Sequence, residues 1–598
     1  MGSVENLFDR QEYGLRVFSR ARDVRRISSM TLSNPMNLSP VFRATVIAGC
    51  AMLAAGAQLR SRERRDFSIL PNSVCPDNGS ECRPTVIRVG QSSRPAKAPA
   101  RTLIEGGKVI AYTLNGNDDL QTVMDSYATA TRDVVITVPV TYRYTKPVVL
   151  RNRAGSHWIT VQSARHFDPS VRVSPKDASD MPKLVAKERG GAIVTDPAAP
   201  SKISHPGAAH HYRFAGFEIV AAPENMLNYA FIGLGTHKET DMIDVPHDIS
   251  IVNCYIHAPA TGEMVRGIIA SGNNLEFRSN YIAGFKSTFM EANAILLVNA
   301  RNVLVENNYL DGAGENMCTD CDGTSIRGFV PSNITIRHNW FFKDPKYRAL
   351  KPAVFVKNLL EFKNGKRITV DSNVFEHSWI QNQGGFAVLF TPRTRYGTQL
   401  TNTIQDVKFT NNVIRHVAAG ISFAAYDDLS NQRPNSLVRA AHFMIDNNLF
   451  EDVSGSKYGS GYFGMCFQIG GPPADMTFSN NTCQFGSEEN RPPVAFFLPG
   501  KSDLTDTSWK NNNLGADVMG DGRYGPGAIA TQKNPPDPQL PNRPVIFDSS
   551  NVIIDNDRHW QELWKSEVPG IRFKPAATSG ANIQALAEME AHVQSGTY

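Results

Sequence analysis

The 598-residue sequence predicts an all-β solenoid of stacked coils, each adding one rung to long parallel sheets. Three observations predict it. First, a motif of the form apolar-x-apolar-x-x-Asn-x-apolar recurs down the chain. It reads "ISIVNCYIHA" from Ile249, "LEFRSNYIAG" from Leu275, "VLVENNYLDG" from Val303, "ITIRHNWFFK" from Ile334, "ITVDSNVFEH" from Ile368, "VKFTNNVIRH" from Val407, "FMIDNNLFED" from Phe443 and "MTFSNNTCQF" from Met476. Second, starting at Asn280, its Asn returns as Asn308, Asn339, Asn373, Asn412, Asn448, Asn481 and Asn512, at intervals of 28, 31, 34, 39, 36, 33 and 31 residues, the range of repeat architectures. Third, apolar and polar residues alternate within each copy, the period of a strand buried on one face, which excludes helical repeats.

The elements follow in order along the chain. Residues 1–57 read as a leader: they hold seven Arg against four acids and end in the apolar run "ATVIAGCAMLAAGA", Ala44 to Ala57, with a small-residue Ala-Gly-Ala resembling a secretory cleavage site. That run is shorter than the roughly 20 residues a membrane span needs. "IAGC" also resembles a lipoprotein acylation box at Cys50, although the apolar run continues past it. The expectation is export to the periplasm, cell surface or medium, with no integral membrane span. Residues 58–105, rich in Ser, Arg and Pro, read as a linker, residues 106–555 as the solenoid, and residues 556–598 as a tail.

An open stack needs caps, because its end strands expose unpaired backbone. "NDDLQTVMDSYATAT", with Leu120, Val123, Met124 and Tyr127 at helical spacing after an Asn/Asp-rich start, supplies an N-terminal capping helix. "NIQALAEMEAHV", Asn582 to Val593, supplies a short C-terminal helix. Between strands, the repeated Asn is assigned a structural role. It tolerates the left-handed conformation a corner requires, and its amide can bond the Asn of the coils above and below.

Composition bounds the function. The net charge of +5 lies largely in the leader, and the near-neutral remainder offers no basic stripe for nucleic acid. Of the eight cysteines, Cys318 and Cys321 form a lone Cys-x-x-Cys without the second pair a zinc site needs and without a βαβ redox context. Local disulfides or buried thiols are the expectation there, and packed thiols at Cys254, Cys466 and Cys483.

Longer stretches add a resemblance. "DDLQTVMDSYATATRDVVI", "HHYRFAGFEI", "VPHDISIVNCYIH", "GAGEN", "VPSNITIRHNWFFK", "VKNLLEFKNGKRITVDSNVFEHSW" and "GGFAVLFTPR" resemble bacterial exported right-handed parallel β-helix repeat proteins with pectate-lyase-like topology. The resemblance implies a single solenoid of about ten coils. It also implies a monomer whose partner is a polysaccharide, possibly anionic, lying along the outer face, processed by a lyase or hydrolase; a non-catalytic carbohydrate-binding or surface protein is the alternative.

The upstream strand of each coil then directs attention to its outward residues: Glu361 and Lys363 in "NLLEFKN", Arg393 and Arg395 after "FAVLFTP", and Tyr426, Asp427 and Asp428 after "ISFAAY". For β-elimination, "TPRTRYG" resembles the Pro-Arg-x-Arg-x-Gly element of pectate lyases, which makes Arg393 the base candidate and Arg395 a substrate contact. The Trp-Ile-Asp-His element and acidic calcium cluster of those enzymes have no counterpart. For hydrolysis, two carboxyls are needed, with Glu361, Asp427 and Asp428 as candidates. Lys357 belongs to a basic insertion that, with an acidic insertion holding Glu315, Asp320 and Asp322, could clamp an anionic sugar or simply pair with the acidic one, and Trp379, Tyr396 and Tyr426 are stacking candidates. No cofactor follows from the sequence, with calcium the one metal suggested: "TDCDGTS" shares Asp-x-Asp-Gly with calcium loops but lacks their remaining ligands.

Overall fold

A computed structural model of the chain describes residues 109–187, 189–195, 208–393, 400–426, 438–459, 464–471, 473–487, 492–499, 504–520, 523–524, 546–553, 558–574 and 579–597. All of them belong to one compact unit, Ser93–Tyr598. The expected leader and linker lie outside the described residues.

The chain winds as a right-handed parallel β-helix, the sense that connections between parallel strands take. Each coil visits three faces in turn. Phe386–Phe390 lies on the first, Ile404–Thr410 on the second and Val413–Val417 on the third. Among the described residues the third face is an 11-stranded sheet, in line with the about ten coils expected. The other two faces merge into one 25-stranded sheet, because Arg266–Arg278 and Asn293–Glu306 run from the first into the second without a break.

Alternation sets which residues enter the core. On the second face Val305, Ile336, Val370, Phe409, Ile445, Phe478 and Trp509 stand in one register column, each buried. On the third face Leu310, Phe341, Phe375, Ile414 and Phe450 form another. Each such side chain contributes about 1.5–3 kcal/mol on burial. A one-residue slip would turn a whole strand's apolar set to water, so the register is strongly specified.

The Asn ladder is continuous from Asn280 to Asn551. The backbone N–H and the side-chain amide of Asn373 both donate to Oδ1 of Asn412, at 2.9 and 3.0 Å, and Asn412 repeats this to Asn448 at 2.9 and 3.1 Å. Asn512 passes it on to Asn551, beyond the last copy read from sequence. One expectation divides in two. The left-handed backbone belongs not to the ladder Asn but to the residue before it: Ser279, Asn307, His338, Ser372, Asn411, Asn447, Asn480 and Asn511, with φ between 52° and 58°. The preceding residue therefore makes the turn, and the ladder Asn satisfies the buried backbone there.

At the N-terminal end the helix Leu120–Ser126 buries Leu120, Val123 and Met124, with Asp119 capping it through Thr122 N–H. The C-terminal end differs from expectation. The stack is closed there by the helix Arg558–Glu567, whose Trp564 is fully buried beside Phe547 and donates to Asp517. The helix Ile583–Ser595 instead lies along the side of the coils. Gly580 N–H donates to Asn511 O, Asn582 N–H to Asn447 Oδ1, and Glu590 pairs with Arg415. Its C-terminal Gly596 accepts from Arg172 N–H and Asn307 Nδ2. The left-handed φ of 73° and the Arg172 side chain 2.7 Å from where a Cβ would stand both require glycine at position 596.

Cysteine pairing also departs from the sequence reading. Cys318 and Cys321 form a local disulfide, one of the two options left open, but Cys466 and Cys483 are joined rather than packed as separate thiols. They sit on strands of different faces that winding brings together, a proximity that spacing does not reveal. Cys254 is a buried free thiol.

Candidate functional site

The outer side of the first face carries one register column that includes Cys318, Glu361, Leu389, Ser422 and Gln468. Glu361 points away from the core as alternation requires, because Leu360 and Phe362 on either side enter it. It is nevertheless only 2% exposed. Its carboxylate is held by Asn358 Nδ2 at 3.1 Å and by the ammonium groups of Lys357 and Lys363 at 3.6 and 3.8 Å.

Lys357 organises the site. Its ammonium lies 2.8 Å from Glu315 and 2.9 Å from Glu291, besides Glu361. Glu315, fully buried, also receives Asn293 Nδ2 at 2.8 Å. Burial works against the Glu315 charge, but Lys357 and then Lys363 outweigh it and hold the carboxyl at about 2. Glu291 shifts the other way: the neighbouring Glu315 charge, followed by burial, raises its pKa. Lys357 is pulled down by burial, yet Glu315, Glu361 and Glu291 together raise it well above the usual lysine range.

Two of these groups reach solvent, the Glu291 side chain at 40% exposure and Lys363 at 19%. The main chain of Arg393 meets that of Lys363 at the next strand end, its backbone N–H donating to Lys363 O at 2.9 Å. The arrangement is a solvent-reaching carboxyl of raised proton affinity above a buried lysine, with Lys363 as a second cation nearby. Such a carboxyl holds a proton more readily than an ordinary one, and the Lys363 ammonium suits an acidic ligand.

The sequence-derived candidates divide accordingly. Lys357, Glu361 and Lys363 come together, with the main chain of Arg393 bonded to that of Lys363. Tyr426 lies just past the end of Ala419–Ala424, partly exposed. Arg395, Tyr396, Asp427 and Asp428 lie outside the described residues. Trp379 is 3% exposed, packed against Tyr347, Val356 and Ala418 with the Arg348 guanidinium 5.6 Å over its ring, so it presents no free face to a sugar. Within the basic insertion, Lys343 is not available to a ligand. Lys343 is fully buried and donates to the carbonyls of Gly312, Ala313 and Gly314 at 2.8–2.9 Å. In the calcium-like loop, Asp322 is engaged by Arg266 at 3.0 Å.

Glu291 and Asn293 were not found from sequence, whereas the pairing of Glu315 with Lys357 is one of the two options left open for the acidic and basic insertions. The one available signal was a set of polar residues just ahead of otherwise apolar first-face strands, in "EANAILLV" and "ENMCT".

A second feature lies on the outer side of the second face. An open groove of about 530 Å³ is lined by Trp158, Arg213, Ser250, Asn274, Glu276, Asn302, Asn333 and Thr335. Its amide side arises from a second column of left-handed residues at the start of the second-face strands, among them His211, Asp248, Asn274, Asn302 and Asn333. Asn333 Nδ2 donates to Asn302 Oδ1, as the corner Asn do inside.

No family model matches the chain, and no curated protein matches it. Solved structures similar to it include PfbA, a surface adhesin of Streptococcus pneumoniae, at 11% identity and TM-score 0.42, covering 70% of this chain and 94% of that one. The Dettilon tailspike protein is similar at 10% identity and TM-score 0.36, covering 74% and 70%. A mannuronic acid specific polysaccharide family 6 lyase from human gut microbiota is similar at 11% identity and TM-score 0.33, covering 81% and 99%. Among the described residues no helix is long and apolar enough to cross a membrane.

Proposed function

We propose that the protein acts on an anionic polysaccharide laid across the outer side of the first face, with Glu291 as the proton-exchanging group. Lys363 and Arg393 neutralise the acidic groups of the sugar. The observation that carries this reading is the solvent-reaching carboxyl of Glu291 set 2.9 Å from Lys357 and beside Glu315, whose charge raises its proton affinity. In β-elimination a base removes a proton next to a carboxylate, and cations stabilise the charge that develops. Glu361 and Lys357 act by position: buried and ion-paired to each other, they hold the floor of the site rather than touch substrate.

The test is turnover by the purified full chain on a panel of acidic and neutral polysaccharides, with and without calcium, following ultraviolet absorbance of unsaturated products and reducing ends. Activity on a uronic acid polymer, lost in Glu291→Gln and weakened in Arg393→Ala, is the expected outcome. Unchanged turnover in Glu291→Gln would sink the assignment.

A non-catalytic reading is favoured by the second-face groove, where a Trp158 ring stands beside amides and hydroxyls, the lining that sugar binding needs without chemistry. On that reading Trp158→Ala abolishes polysaccharide retention in affinity electrophoresis, Glu291→Gln leaves it intact, and no polymer is cleaved.

A further inference from the structure

The rim of the second-face groove points to a divalent metal site formed by His211, His247 and Asp248. We propose that these three side chains bind a zinc-like ion, a site separate from the Lys357 cluster and not dependent on the reading above.

The placement follows from register. His210 pairs with His247 across adjacent coils, which sets the next residues, His211 and Asp248, one above the other in the left-handed column. The His210 and His247 rings stack with centroids 4.8 Å apart. One ligand atom from each of His211, His247 and Asp248 lies within 4.8 Å of the others. The closest approaches are 2.6 Å from His247 Nδ1 to Asp248 Oδ2 and 3.9 Å from His211 Nε2 to the same oxygen.

Hydrogen bonding fixes which nitrogens carry protons. The Arg153 carbonyl only accepts, so His210 Nε2, 3.0 Å from it, must donate. In a neutral ring His210 Nδ1 is then bare, and the His211 Nδ1 at 2.7 Å donates to it. That leaves the His211 Nε2 lone pair bare, facing the Asp248 carboxylate at 3.9 Å, beyond hydrogen-bond reach. The His211 lone pair and the Asp248 carboxylate face one space with no proton between them, which suits a cation; His247 Nδ1, 2.6 Å from Asp248 Oδ2, carries the proton of that bond and releases it to solvent when the ion binds.

The surroundings match those of built metal sites. Asp248 Oδ1 is held by Asn274 Nδ2, and His211 by the relay through His210 to a backbone carbonyl, the outer partners that orient ligands. Two imidazoles and one carboxylate select a borderline ion such as zinc over calcium, which prefers oxygen alone. Three protein ligands leave a coordination position open. Asn274 lines the groove, and the His211 ring contacts Trp158 at 5.4 Å, so the ion sits at the groove's edge.

The test is equilibrium dialysis of the metal-stripped full chain against Zn2+ and separately Ca2+, with bound metal counted by atomic emission and thermal unfolding recorded for every variant. The expected result is one equivalent of Zn2+ that is absent from His211→Ala and from His247→Ala, and about 10–100-fold weaker binding in Asn274→Ala. Asp248→Asn keeps the size and hydrogen-bonding capacity of the side chain, so its loss of Zn2+ with an unchanged unfolding midpoint separates ligation from misfolding. Equal Zn2+ content in parent and variants, no Zn2+ in the parent, or a preference for Ca2+ would each overturn the proposal.

Discussion

At the scale of single residues, buried charge decides most of what distinguishes this chain. Glu315 has its pKa held at about 2 against an ordinary 4.5, despite burial, because Lys357 and Lys363 face it. A carboxyl lowered in the folded state contributes stability that is present above its unfolded pKa and lost as pH falls through the folded value. The parent protein is therefore expected to lose stability between pH 4.5 and about 2, and Glu315→Gln to flatten that limb, as read from urea midpoints across a pH series. Lys343 makes a second test. Burial pulls its pKa down to about 7, while three carbonyls that only accept hold its protonated form. Lys343→Met leaves those carbonyls without a donor and is expected to cost about 3 kcal/mol or more in chemical unfolding. The pairing of Glu315 with Lys357 was one option open from sequence; the burial of Lys343 was not. "WFFKDPK" reads as a basic loop, and only winding puts Lys343 over the Gly312–Gly314 carbonyls. The outward direction of Glu361 was legible from alternation with Leu360 and Phe362. Its burial was not: Asn358, Lys357 and Lys363 flank it in sequence, but Lys357 is also held by Glu291 and Glu315 of other coils.

At the scale of elements, the corner between the second and third faces separates two demands that the sequence merges in one Asn-Asn pair. The Asn412 side chain makes four ladder contacts, donating to Val370 O and Asn448 Oδ1 and accepting twice from Asn373. Asn411 has a φ of 56° and bonds to Asp371 and Asn447 near the surface. Asn412→Ala is expected to cost about 3 kcal/mol, since it strands buried donors of its neighbours. Asn411→Gly keeps the left-handed turn and loses only part-exposed bonds, so it should cost less than Asn411→Val, where a β-branched side chain adds a conformational penalty of about 1–2 kcal/mol. Equilibrium unfolding of the three variants ranks them. An order with Asn411→Gly worst would contradict this division of labour.

At the scale of the whole molecule, the segment 579–597 ties coils far apart in sequence. It runs from Asn511 past Asn447 and Arg415 to Asn307 and Arg172, and bridges Thr597 to Val171. A stack in which each coil touches only its neighbours unfolds piecewise, so a strap across many coils raises cooperativity. Truncation before Ser579 is expected to lower the thermal midpoint, broaden the transition and speed proteolysis, while leaving the strand content seen by circular dichroism largely unchanged. By itself the sequence determined the solenoid, the Asn ladder, the N-terminal helix and the inward and outward faces, because these depend on local period and on contacts between equivalent positions of successive coils. Only the tertiary structure decided that Trp379 is packed, that Cys466 meets Cys483, that the last helix is a strap, and that Glu291, Glu315 and Lys357 converge. It also decided that His211 stands over Asp248. These depend on how loops of unequal length fold back over the rungs, and the winding that joins residues tens to hundreds of positions apart leaves no local period to read.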